Sequence, residues 1–339
     1  MTQLDSSLRR PGHDGPAGRG PGPTQTSRSG QPVKTRRRGS RLVRWLPYLL
    51  LLPAVVFELA VHVLPIIVGV AMSFFTITQF QIRKWWEAPF AGFGNFTVVL
   101  DFSGPAGAGL LRSFAVTVAY TVIVMAASWT IAVAASVFLQ RSFRGRNLMR
   151  ALFLIPYALP AYAGIIVWRF ILQQQNGMLN HVLVDQLGVF ADKPYWLLGD
   201  NSLVALIVVN VWKYWPFAFL IITAGMQSIP TELYEAAALD GAGAWRRFRS
   251  VTLPLLSPVN RTLLLILFLW TFNDFSTPYI LFGRSAPPAA DLISIHIYNR
   301  SFETWNFGLG SAMSVLLVVF LLLCTAGFAA FTRWRDRRA

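Results

Sequence analysis

Three charged side chains fall inside long apolar runs: Glu58, Lys213 and Asp274. Glu58 stands about 13 residues into its run, Lys213 about 11 and Asp274 about 13. At a rise of ~1.5 Å per residue, each lies roughly 16 to 20 Å into a hydrocarbon layer about 30 Å thick. Isolated charges at that depth are expensive, so these groups are expected to face a protein interior and to pair, Lys213 with Asp274 or with Glu58. Amides, hydroxyls and aromatic rings surround them: Asn210, Trp212, Tyr214 and Trp215 in one run, Phe272, Asn273 and Thr277 in another. Aromatic faces suit the C–H surfaces of carbohydrates, and polar side chains suit their hydroxyls. Asn210, Lys213, Tyr214, Trp215, Asn273, Asp274 and Thr277 are therefore candidates for a solute path. The same mixture serves as polar glue between packed helices, and a purely structural ion pair accounts for the charges as well as solute contact does. Three ionisable groups at one depth also suit the proton relay of an ion-coupled carrier.

Other chemistries find no support. The four lysines, Lys34, Lys84, Lys193 and Lys213, follow Val, Arg, Asp and Trp, so none completes a phosphate-binding Gly-Lys-Ser/Thr loop. His13, His62, His181 and His296 are scattered over different segments, and Cys324 is the only cysteine. No catalytic nucleophile, metal cluster, cofactor site or intrachain disulfide is expected.

The elements that must position the candidate residues are set by composition. The chain has 339 residues, of which 54% are hydrophobic and 13% charged, with a mean hydropathy of +0.49. Runs of about twenty nearly uncharged residues recur, so the solvent is lipid. Six spans can be drawn, over roughly 45–75, 111–139, 151–174, 202–224, 261–283 and 311–332. Pro156, Pro160, Pro216 and Pro278 are expected to kink them around a cavity. Arg112 and Arg169 lie near span ends, where they can snorkel to the interface.

The net charge of +15 is unevenly placed. Residues 1–44 hold ten Lys/Arg among Gly, Pro and Ser, and are read as a disordered basic tail rather than a nucleic-acid site. Arg36-Arg37-Arg38, with Arg41 and Arg44, abuts the first span as a positive-inside anchor. With both chain ends inside, 22 Lys/Arg fall on the cytoplasmic side and five outside. That imbalance orients the chain. The first outside loop carries Trp85, Trp86, Phe90 and Phe93, residues of an interfacial belt.

The most conspicuous polar insert runs from 228 to 258. Thr231 is the expected N-cap of a helix whose start carries Glu232 and Glu235, near the positive end of the helix dipole. Ala236, Ala237, Ala238 and Leu239 continue it, and Asp240-Gly241 ends it. A second helix opens with Arg246, Arg247 and Arg249 and is limited by Pro254 and Pro258. By chemistry alone this is a hairpin capping two spans. Its spacing, however, resembles the EAA loop of the permease subunits of binding-protein-dependent ABC importers: Glu-Ala-Ala, three residues, Gly, nine residues, Ile, one residue, Leu-Pro. Here Glu235-Ala236-Ala237, Gly241 and Leu253-Pro254 keep the register, and Val251 replaces the isoleucine.

Further phrases carry the resemblance over roughly 45–332. They are Phe93-Gly94-Asn95-Phe96, the stretch from Asn176 to Asn180, Trp196-Leu197-Leu198, Tyr298 to Phe302, and Trp305 to Gly308. The third outside loop departs, with Pro287-Pro288 in place of a glycine-rich run. Leu233-Tyr234 and Phe272-Asn273-Asp274-Phe275 are similar to the first permease of a maltose- or glycerol-phosphate-type system. The resemblance implies an all-α polytopic membrane protein with six transmembrane helices and a type I ABC importer permease fold. It also implies a transmembrane domain over 45–332 between the tail and a cytoplasmic end at 333–339, all in a bacterial cytoplasmic membrane. Glu235, Ala236, Ala237, Asp240, Gly241, Leu253 and Pro254 would couple it to a separate ATPase in two copies. A second permease subunit and an extracytoplasmic solute-binding protein would complete the assembly. The solute would be a sugar or oligosaccharide, or else glycerol phosphate or a polyol, where Lys213 or Arg169 would meet an anion.

Overall fold

Apolar runs this long satisfy their backbone polar groups internally only as helices, and helices are what form. The computed structural model describes residues 41–140 and 142–338. The expected basic tail therefore lies outside the described residues as far as position 40. No strand occurs among the described residues; two isolated bridges, Phe75 with Phe90 and Thr78 with Asn306, tie loops together.

The chain divides into two units at Phe57 and Glu58. The described part of the first is helical from Arg41, with Pro47 and Pro53 inside the helix and Trp45 against Tyr48. The second unit holds everything else. It opens with a π-helical turn, Leu59–Val63, and the helix Leu64–Met72, which packs beside the last helix, Phe307–Asp336.

Four helices are long and apolar enough to cross a membrane: Trp45–Met72, Pro105–Phe138, Asn201–Gln227 and Phe307–Asp336. Two bent pairs bring the number to as many as six. The expected span 151–174 is one of these pairs, Arg146–Ala158 and Ala161–Ile171, bent by 91°. The cause is local. Pro160 cannot donate to the helix ladder, and Leu159 before it is forced to extended backbone at ψ 144°. The expected span 261–283 is likewise two pieces, Ser257–Phe272 and Ser276–Phe282. The other bent pair joins Ala244–Leu255 to Ser257–Phe272 at 69°. Pro216 does not break its helix, and Pro278 sits in a first turn, where a missing N–H costs little.

The core forms where Pro105–Phe138 packs along Asn201–Gln227. Tyr120, Val124 and Ala132 bury against Leu206, Val209, Ala218 and Ile222. A smaller cluster joins Phe272, Ile293, Ala312 and Met313. These two packings fix the helix Asn201–Gln227 and the interrupted helix beside it, which together carry the candidate polar residues.

Candidate functional site

On the helix Asn201–Gln227, residues 210, 213 and 214 share one face by their spacing of three and four. That face meets the interruption at Asn273–Phe275. No proline or glycine breaks the chain there. Instead the Asp274 side chain takes over the bonding of the next helix: its Oδ1 accepts from the Thr277 backbone N–H at 3.2 Å. Its Oδ2 accepts from Lys213 Nζ at 3.3 Å and from Tyr120 O–H at 3.3 Å. Lys213 also donates to Thr277 Oγ1 at 2.8 Å, and the Thr277 hydroxyl donates to Asn210 Oδ1 at 3.2 Å. Ser294 Oγ donates to the Asp274 carbonyl at 2.8 Å. Asn210 and Thr277 are fully buried, and the Asp274 side chain is 4% exposed.

A cavity of about 490 Å³ opens on the pair, lined by Tyr162, Tyr214, Trp270 and Phe275 as well as Lys213, Asn273 and Asp274. A smaller one of about 160 Å³ adjoins it at Pro160, Gly164 and Trp212. A Cβ at 164 would come within 2.9 Å of the Trp212 ring, so any larger residue there forces the ring to shift. The charges in this site cancel, since the Lys213 ammonium and the Asp274 carboxylate neutralise each other. What faces the cavity is a set of rings, an amide and a paired ammonium and carboxylate, an arrangement suited to binding without covalent chemistry.

The expected residues divide between surface and support. Lys213, Tyr214, Asn273 and Asp274 line the cavity, whereas Asn210 and Thr277 stand behind it. Trp215 is not in the lining; it packs on Phe153 and Phe219, on another side of its helix. Glu58 takes no part either, because its carboxylate pairs with His62 at 3.2 Å. Tyr120, Tyr162, Trp270 and Ser294 were not among the expected residues. Tyr120 is recoverable only as one polar group in an apolar helix, and the others carry no sequence signal. Arg169 donates to the Ile280 carbonyl at 3.3 Å, which fastens the helix Ser276–Phe282 at its far end.

The second site is the polar loop. Its first helix, Thr231–Leu239, is preceded by Pro230 and has no side-chain cap; Thr231 is the first helical residue, not the N-cap. At the other end Gly241 has φ +76°, its N–H bonds to the Ala238 carbonyl, and Ala242 N–H bonds to the Ala237 carbonyl. This pair of bonds is a Schellman termination, which glycine alone makes without strain. Tyr234 O–H lies 3.0 Å from Thr252 Oγ1, tying the two helices of the loop together. Glu235, Ala236, Asp240, Gly241 and Pro254 are exposed, while Ala237 and Leu253 are half-buried. Leu239 is 90% exposed and Trp245 71%, so an apolar surface lies beside the acidic one.

At the opposite end of the helix Pro105–Phe138, a loop over 174–201 is organised by the buried Asn180. Its amide donates to the carbonyls of Gln174 and Pro194, and its oxygen accepts from Trp196 Nε1 at 2.7 Å. Hydrogen bonds from Lys193 and then His181 hold the nearby Asp185 carboxyl below the ordinary aspartate range.

These features are shared with known proteins. Residues 127–339 match the family described as the binding-protein-dependent transport system inner membrane component. The chain belongs to this family. Among relatives, the permease is 31% identical to the Escherichia coli (strain K12) inner membrane ABC transporter permease protein YcjO, over 80% of this chain and 89% of that one. It is 31% identical to the trehalose/maltose transport system permease protein MalF of Thermococcus litoralis, over 86% and 94%. It is 33% identical to the sn-glycerol-3-phosphate transport system permease protein UgpA of Brucella abortus, over 83% and 92%. The fold matches a chain of a bacterial ABC transporter that imports the acidic polysaccharide alginate, with TM-score 0.73, 21% identity and coverage of 86% and 97%. The permease is thus an all-α, multi-pass inner-membrane protein of an ABC importer.

Proposed function

We propose that this permease passes a neutral sugar or oligosaccharide through the cavity beside Lys213 and Asp274. The observation that carries the reading is the neutralised pair among aromatic walls. An uncharged polyhydroxylated solute gains ring stacking from Tyr162, Tyr214 and Trp270 and hydrogen bonds from Asn273 and the pair. A glycerol phosphate, such as the solute in the name of the UgpA relatives, needs a free cation, but the ammonium in this cavity is occupied by Asp274 and Thr277. The name of the MalF relative, a trehalose and maltose permease, agrees with the neutral class. An ion-coupled carrier would need Glu58, Lys213 and Asp274 to relay protons, and Glu58 is engaged by His62 instead.

In this reading 45–332 is one transmembrane domain with cytoplasmic ends. The loop 228–258 is the coupling element, with Glu235, Ala236, Asp240, Gly241 and Pro254 as its free surface and Ala237 and Leu253 as its footing. The exposed Leu239 and Trp245 extend that surface. A separate ATPase in two copies docks there, a second permease completes the path, and a solute-binding protein delivers from outside. The test is uptake by the reconstituted importer, offered labelled neutral di- and trisaccharides alongside labelled glycerol phosphate. Uptake of a neutral sugar with glycerol phosphate neither carried nor competing is the expected result. Transport of glycerol phosphate alone overturns it.

A further inference from the structure

A cavity away from the solute path lies where the polar loop meets the end of the helix Pro105–Phe138, and it has a volume of about 340 Å³. Gln140, in the turn after that helix, contributes to one wall. Thr231 and Tyr234 of the helix Thr231–Leu239 contribute to the second, and Arg247, Phe248 and Thr252 of Ala244–Leu255 to the third. The lining is rich in hydrogen-bond donors and holds no acid. Arg247 is half-buried, and its guanidinium has no hydrogen bond or ion pair among the described residues. Thr231 opens its nine-residue helix without a side-chain cap, so the first N–H groups are unspent. The Tyr234 and Thr252 hydroxyls share one bond at 3.0 Å, which uses one of their two protons and leaves the other. Glu232, Glu235 and Asp240 are exposed and take no part in the lining. Arg146 and Arg150, at the start of the helix that follows Gln140, have buried Nε atoms without a partner among the described residues. Positive charge is thus in surplus at this end of the bundle.

We infer that this cavity binds a phosphate group, and that the bound group ties both loop helices to the end of Pro105–Phe138. The donors select that chemistry. A guanidinium offers paired N–H groups that match phosphate oxygens, and an uncapped helix start favours the same charge. Tetrahedral oxygens reach donors on all three walls, whereas a planar carboxylate spans two. The Phe248 ring gives apolar surface to the stem that carries the phosphate. That stem belongs either to a lipid headgroup or to a free phosphate compound, and the two share the recognition chemistry. The consequence for transport rests on the reading of the loop 228–258 as the coupling element. A loop clamped in this way moves together with the helix Pro105–Phe138 and not against it.

The experiment uses the full importer in detergent, with both permeases and the ATPase. One arm titrates phosphatidylglycerol against diacylglycerol, its phosphate-free counterpart, and reads retained lipid by native mass spectrometry. The other titrates radiolabelled inorganic phosphate and reads binding by equilibrium dialysis. Each arm compares wild type with Arg247→Gln and, as a control for surface charge, Arg246→Gln. The expected result is a site for at least one probe that survives in Arg246→Gln and weakens about tenfold or more in Arg247→Gln. Retention of phosphatidylglycerol assigns the site to a lipid headgroup; binding of inorganic phosphate alone assigns it to a free phosphate compound. Binding of neither probe through Arg247, or equal retention of diacylglycerol and phosphatidylglycerol, overturns the inference. Sugar-stimulated ATPase activity is the second readout, expected to rise with the bound probe in wild type and to ignore it in Arg247→Gln. Binding without that response overturns the clamp. An importer that carries sugar but binds neither probe through Arg247 removes this inference and leaves the proposed function standing. One that binds a probe through Arg247 but carries no sugar leaves the phosphate site and removes the proposed function.

Discussion

Asp274 does two jobs with one carboxylate, capping the helix Ser276–Phe282 and neutralising Lys213. Removing its partner therefore leaves a buried charge. Lys213→Met is expected to destabilise the permease by about 3–5 kcal/mol, and adding Asp274→Leu is expected to recover part of the loss, read as thermal unfolding in detergent. Tyr120→Phe removes one bond of the cluster and is expected to cost about 1 kcal/mol in the same assay. Outside the membrane, the Asp185 carboxyl is held low by Lys193 and His181. A carboxyl lowered on folding stabilises above its ordinary range and loses that contribution as pH falls through the lowered value. Proteolytic nicking of the loop 174–201 is expected to rise only at acid pH below that range, and Asp185→Asn is expected to raise it at neutral pH too. Depth narrowed the partner of Lys213 to two acids, Asp274 or Glu58, and could not choose between them; the fold pairs it with Asp274 and leaves Glu58 to His62. Tyr120 was not legible, since a contact across 154 residues leaves no trace in spacing.

The elements were legible in proportion to how local their causes are. The four uninterrupted spans follow from apolar length. The 91° bend at Pro160 follows from a missing donor, although its size depends on packing. The interruption at Asn273–Phe275 was hidden, because it comes from a side chain replacing helix bonds and not from a breaker residue. The loop helix ends at Gly241 for a reason visible in the sequence, and its conformation makes a prediction. Gly241→Ala puts a Cβ on left-handed backbone and is expected to cost about 1–2 kcal/mol locally. The measurement is solute-stimulated ATPase activity of the importer, expected to fall while the permease stays assembled. Gly164→Leu is expected to act elsewhere, driving the Trp212 ring from its place. Uptake should fall with ATPase stimulation less affected.

At the scale of the whole molecule, one chain supplies the cavity beside Lys213 and Asp274 and a loop that presents Glu235 and Gly241 to solution. The fold joins them directly. The loop's second helix, Ala244–Leu255, turns into Ser257–Phe272, which ends at Asn273 and Asp274 in the cavity wall. In the proposed reading, a displacement of the loop passes through the 69° bend into the helix that ends at the cavity, and the Arg261–Asp336 pair at 2.7 Å ties the last helix to that helix. The motif marked the loop in the sequence, but its continuity with the helix that ends at the cavity was not legible there. The most direct test of this coupling is ATP-dependent sugar uptake in proteoliposomes, comparing wild type with a Glu235→Arg, Gly241→Pro variant. The account predicts that the variant remains folded and loses uptake together with ATPase docking. Undiminished uptake by the variant, or uptake without ATP, would contradict it.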